Sequence, residues 1–207
     1  MDQGQIRLGS PFGSWLYQFC KEEPSVQTVV EIGTWRGMGS TECLIRGLMD
    51  SYKPFVSFTS LESNPEMHAT AVSLWQGKLP NWAKLVHGRI LEIDELIVED
   101  LCSEHPDEAK WLQEDKNAMN SCPNVLHSLP NFIDFLFLDG GGFSTRTEFE
   151  KLKNRSKIIA LDDTTNRKCK KIREMVSSMP NDYQIILDDP SNRTGVMAFV
   201  NKKFNQS

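Results

Sequence analysis

The chain has 207 residues, a net charge of −5, 39% hydrophobic residues and 25% charged residues. At roughly 150 residues per domain this is one domain with small additions, long enough to bury about 70% of its surface. The balance excludes disordered, collagen-like and coiled-coil chains, and no apolar run has the length of a membrane helix. The negative charge weighs against nucleic-acid binding over the whole surface. No apolar signal region opens the sequence. The five cysteines (Cys20, Cys43, Cys102, Cys122, Cys169) are scattered and form no CxxC pair, which reads as reduced thiols in a cytoplasmic setting. The glycosylation sequons at Asn154 and Asn192 then read as chance matches.

Strand-like and helix-like segments alternate along the chain. A short helix over 14–21, within an N-terminal extension over 1–25, precedes a strand over 26–33. A helix over 40–50, a strand over 55–62 and a helix over 65–77 follow. The last shows apolar residues at Met67, Ala71, Leu74 and Trp75, one helical face. A strand over 83–90 and a helix over 92–104 come next. The long connection over 104–130, with a polar helix at 106–120, predicts a lid or rim. Strands over 133–139 and 157–162 lead to a helix over 166–179, striped by Cys169, Ile172, Val176 and Met179. Turn residues at 188–193 separate strands over 183–187 and 195–201, which predicts an antiparallel closing pair. Such alternation predicts a doubly wound α/β sheet with helices on both faces.

The most informative stretch is Glu31-Ile32-Gly33-Thr34-Trp35-Arg36-Gly37-Met38-Gly39-Ser40. Gly33 permits a tight turn off the strand; Gly37 and Gly39 let backbone approach a ligand, and free N–H groups open the next helix. The spacing is not that of a dinucleotide fingerprint. Glu31 opposes a phosphate and suits an ammonium or sulfonium. Glu62, ending the next strand, is placed to accept hydrogen bonds from ribose hydroxyls.

This turn, the strand ending in Leu61-Glu62 and the closing hairpin resemble the class I S-adenosylmethionine-dependent methyltransferases over residues 26–200. The resemblance implies a Rossmann-like seven-stranded sheet of order 3-2-1-4-5-7-6 with strand 7 antiparallel, and S-adenosyl-L-methionine as cofactor. It assigns the cofactor to Glu31, Gly33, Thr34, Gly37, Glu62, Gly88, Arg89 and Asp139, with His87-Gly88-Arg89 flanking the adenine.

Asp139 ends the fourth strand, and Asp162-Asp163 end the fifth beside it. Three converging carboxylates need protons or a cation, and oxygen ligands select Mg²⁺ or another hard divalent ion. A competing reading makes Asp163 and Thr164 N-caps of the following helix. The pattern is similar to the metal-dependent small-molecule O-methyltransferases of the macrocin and aminocoumarin sugar type, which implies Asp139, Asp162 and Asp163 as metal ligands and Asp139 as a catalytic residue. That subfamily places an acidic base where this chain has Gly141. The expected activity is O-methylation of a small hydroxylated acceptor. A basic strip around Arg167, Lys170, Lys171 and Arg173 leaves RNA methylation as an alternative, although it reads best as a solvated helix face. A non-catalytic cofactor-binding module is the other alternative.

Overall fold

The computed structural model describes residues 5–98 and 105–205. Its strands are β1 (Thr28–Ile32), β2 (Ser57–Glu62), β3 (Ala83–His87), β4 (Ile133–Leu138), β5 (Ser156–Asp162), β6 (Tyr183–Asp189) and β7 (Val196–Asn201). They form one sheet of order β3-β2-β1-β4-β5-β7-β6, parallel except for β7, which runs antiparallel to both β5 and β6. β1 pairs with β2 on one side and β4 on the other, so the strand order reverses between β1 and β4. Open α/β sheets bind ligands at the carboxyl ends of such a switch point.

The central strands are apolar on both faces because both faces are covered. Phe135 and Phe137 enter one core and Leu136 and Leu138 the other; Ile158 and Ala160 oppose Ile159 and Leu161 in the same way. The first core is closed by α1 (Pro11–Glu22) through Phe12, Leu16 and Cys20, and by α2 (Ser40–Met49) through Cys43, Leu44, Ile45 and Leu48. Trp75 from α3 (Pro65–Trp75) joins that core. The opposite core takes Leu112 and Met119 from α4 (Glu108–Asn120). It also takes Phe149 and Leu152 from α5 (Thr145–Leu152), and Ile172 and Val176 from α6 (Lys170–Ser178).

Three differences from the sequence expectations matter. Of the helix expected over 92–104, the described residues 92–98 form one 3-10 turn, Ile93–Glu95, closed by a capping box between Glu92 and Glu95. The chain then turns inward, where Ile97 N–H donates to Phe143 O (2.9 Å). Residues 99–104, including Cys102, lie outside the described residues. A helix that the sequence reading passed over, α5, connects β4 to β5. The helix expected over 166–179 begins only at Lys170, with Cys169 as its N-cap. Asp163 and Thr164 therefore do not cap it; Asp163 sits in left-handed backbone (φ 62°), and Thr164 N–H bonds Gly195 O (3.0 Å). The four described cysteines are buried and unbridged. No helix among the described residues is long and apolar enough to cross a membrane.

Candidate functional site

The carboxyl ends of β1, β2, β4 and β5 open into a cavity of about 580 Å³. Its floor is the turn after β1. Gly33 has φ +103°, and a Cβ there would lie 2.3 Å from Asp139 O, so only glycine lets the ends of β1 and β4 meet. Gly33, Thr34, Trp35, Gly39 and Ser40 line the cavity. Trp35 holds a left-handed φ of 52°, uncommon for an aromatic residue, and is half exposed at the rim.

Two of the candidate residues of this turn lie outside the cavity lining. Glu31 is not part of the cavity wall. It is fully buried behind the turn, where it accepts from Ser40 Oγ (2.6 Å), Thr41 Oγ1 (2.7 Å) and Ser60 Oγ (2.6 Å). Two of those hydroxyls open α2, so the carboxylate ties β1 and β2 to the positive end of that helix. Burial pushes its pKa up to about 7 despite the three hydroxyls. Gly37 is likewise absent from the lining. Its carbonyl accepts from Trp75 Nε1 (2.7 Å), and a Cβ there would meet that nitrogen at 3.0 Å. It closes the turn against α3.

Glu62 is where the sequence reading placed it, on the wall beside the turn. Oε2 accepts from Trp35 N–H (2.7 Å) and Oε1 from Asn64 N–H (2.8 Å). Burial raises its pKa against these two bonds. The carboxylate is fixed by backbone and keeps lone pairs toward the cavity. Gly88 and Arg89 also line it, whereas His87 does not: it faces Ser63 O (3.1 Å) and His68 (5.6 Å between ring centroids). The Arg89 guanidinium is engaged by Cys122 O (2.9 Å), Leu91 O and Glu92 Oε2 (2.8 Å), so its polar reach is spent on the loop.

The carboxylates of Asp139, Asp162 and Asp163 converge, with one oxygen from each within 4.8 Å of the others. By distance alone the three would hold a cation. The chain already supplies one, which the sequence reading missed. Lys168 Nζ lies 2.5 Å from Asp139 Oδ1 and 3.0 Å from Asp163 Oδ2, with its side chain 9% exposed. Arg193, from the turn between β6 and β7, adds a second charge 3.2 Å from Asp162 Oδ2. Burial raises the Asp139 and Asp162 pKa values, the latter to about 7. Burial pushes Asp163 up too, but Lys168 and Thr194 outweigh it and hold it below its ordinary value. Two of the three carboxylates are bonded to an ammonium, so as arranged the cluster does not fit a divalent ion. Lys168 lay unread because it falls in a run of basic residues whose bland reading is a solvated face.

Two further acids were missed. Asp115, on α4, lines the cavity, and its Oδ2 lies 2.9 Å from where a Cβ on Gly141 would stand. Burial raises its pKa to about 6, and among the described residues no hydrogen-bond or ion-pair partner holds it. Glu148, on the unforeseen α5, is 7% exposed, lines the cavity, and has an Oε2 without a partner among the described residues. Burial raises its pKa to about 7. No sequence motif marks either; only the fold brings them to Gly140 and Gly141.

No protein-family model matches the chain, and no curated protein matches its sequence. Solved structures do match. A Podospora anserina methyltransferase bound to S-adenosylhomocysteine is 18% identical, with a TM-score of 0.61 over 97% of this chain and 81% of its own. An O-methyltransferase from Bacillus cereus, also in complex with S-adenosylhomocysteine, is 16% identical, with a TM-score of 0.60 over 97% and 85%. A putative O-methyltransferase from Klebsiella pneumoniae is 14% identical, with a TM-score of 0.59 over 96% and 83%. Together with the strand order, these likenesses establish the class I S-adenosylmethionine-dependent methyltransferase fold.

Proposed function

We propose that the chain is an S-adenosylmethionine-dependent methyltransferase acting on an oxygen of a small hydroxylated molecule. One observation carries the reading: Glu62, fixed by two backbone N–H groups, stands on the wall of a cavity floored by the glycine turn, at the switch point of this fold. The S-adenosylhomocysteine held by the Podospora and Bacillus proteins supports it. The residues present fit such a cofactor. Seven carboxyl side chains line the cavity (Glu62, Glu114, Asp115, Asp139, Glu148, Asp162, Asp163) against two guanidinium groups (Arg89, Arg193). An acidic, low-dielectric cleft attracts and holds a cationic ligand.

Bound in this cavity, S-adenosylmethionine would supply a methyl group carried on a sulfonium, an electrophile toward an acceptor oxygen. The chain's own residues position and deprotonate. Glu62 accepts from ribose hydroxyls. The backbone at Gly33 and Gly39 gives close approach without side-chain bulk. Asp115 accepts the acceptor's hydroxyl proton, because α4 brings its carboxylate to the place left open by Gly141. This supports a working enzyme over a non-catalytic module. An acid pushed up to about 6 is suited to a base role near neutral pH.

A small acceptor is favoured over RNA by the fate of the basic strip. Lys170 stays exposed, but Arg167 pairs with Glu108 and Arg173 with Asp188, and the neighbouring Lys168 enters the carboxylate cluster. Those paired charges are spent within the chain. The test is transfer of a labelled methyl group from S-adenosylmethionine to a panel of sugars and phenols, with RNA as a parallel arm. The expected outcome is a methylated small molecule, with Asp115→Asn lowering turnover by about 100-fold or more. Label entering RNA, with affinity falling steeply with salt, would contradict the acceptor class. Undiminished turnover in Asp115→Asn would remove it as the base.

A further inference from the structure

We propose that Lys168 is a cation built into the chain, holding the place between Asp139 and Asp163 that a divalent ion would otherwise take, so that the site works without metal. The inference rests on the methyltransferase reading above for the reaction, but not for the geometry. The ammonium is bonded to one oxygen of each carboxylate at 2.5 and 3.0 Å, and these are its only side-chain partners among the described residues. It is delivered by a fastened loop. Thr164 N–H bonds Gly195 O, Thr165 N–H bonds Thr194 O (2.9 Å), and Asn166 Oδ1 accepts from Lys168 N–H (3.0 Å). The third carboxylate, Asp162, has Arg193 at 3.2 Å. A divalent ion takes carboxylate oxygens at about 2.0–2.6 Å. At Asp139 and Asp163 it would crowd an ammonium of like charge in a poorly solvated place, where Coulomb repulsion is strong. Metal could enter only if Lys168 left, and leaving would bring a buried ammonium out of its two bonds. The cluster therefore keeps its carboxylates in register by its own charge, and Lys168 acts as a positioning residue for Asp139 at the reacting end of the cavity.

The test is a Mn²⁺ titration of the full chain followed by electron paramagnetic resonance, on wild type, Lys168→Arg and Lys168→Met. Wild type and Lys168→Arg are expected to hold no ion at millimolar Mn²⁺. Lys168→Met, with the ammonium gone from between Asp139 and Asp163, is expected to bind one ion about tenfold or more tighter than wild type. One Mn²⁺ bound by wild type and lost in Asp163→Asn would overturn the proposal. So would folded Lys168→Met binding no tighter than wild type. Should Lys168→Met not fold, the wild-type and Asp163→Asn titrations decide alone. S-adenosylhomocysteine calorimetry in EDTA is run alongside. Its failure would strike the methyltransferase reading, and the Mn²⁺ result would still judge Lys168.

Discussion

Glu31 ties the turn together at a cost that depends on pH. Its pKa rises from an ordinary 4.5 to about 7 because burial penalises the charged form more than the three hydroxyls reward it. Between these values the unfolded chain has lost a proton that the folded chain still holds. Stability therefore falls as pH rises from about 4.5 to 7, by up to about 3 kcal/mol from this group. Glu31→Gln, which cannot ionise, should flatten that slope in chemical denaturation at successive pH values. An unchanged slope would mean that the carboxyl is ionised in the fold. Gly33 gives a second test at this scale. Gly33→Ala forces a Cβ to 2.3 Å from Asp139 O at a φ of +103°. It should cost more than about 1 kcal/mol and lower the denaturant midpoint. An unaltered midpoint would show that β1 and β4 need no such close approach.

Among the elements, α4 is the one that decides what the cavity can do, because it carries Asp115. It is fastened by Leu112 and Met119 in the core and by Glu108, 4% exposed, paired with Arg167 at 2.9 Å. Arg167 also stacks on Phe143, 4.2 Å from its ring centroid. Arg167→Ala would leave the Glu108 carboxylate buried without that cation, a loss of about 3–5 kcal/mol. Hydrogen exchange should then speed up first in Glu108–Asn120. Protection unchanged in α4 would mean that its apolar contacts hold it alone. The strands were legible because short continuous apolar runs mark strands buried on both faces, as Ile158 to Leu161 illustrate. Helices with short or mixed stripes were not. α5 carries only Phe149 and Leu152 as buried apolar residues among charged ones, and Leu96 was drawn into the cavity wall and Ile97 to Phe143 instead of into a helix.

At the scale of the molecule, the strand–helix alternation was readable from short apolar runs and helical stripes, and the closing turn at 188–193 marks the antiparallel pair, whereas the sheet order followed from the family resemblance. The site was readable where local sequence makes it, as at Gly33 and Glu62. It was unreadable where distant segments meet. Lys168 bonds Asp139 from 29 residues away, and Arg193 reaches Asp162 from 31. The surroundings of Glu31 were unreadable for the same reason: the hydroxyls of Ser40, Thr41 and Ser60 that enclose its carboxylate come from α2 and β2. Binding of S-adenosylmethionine in this cavity through Glu62 is the central proposal. Titration calorimetry with S-adenosylhomocysteine tests it without knowledge of the acceptor. The account predicts one site per chain, with Glu62→Ala weakening affinity by about 10- to 100-fold, as loss of a charged hydrogen-bond acceptor requires. No heat at millimolar ligand, or equal affinity in wild type and Glu62→Ala, would contradict it.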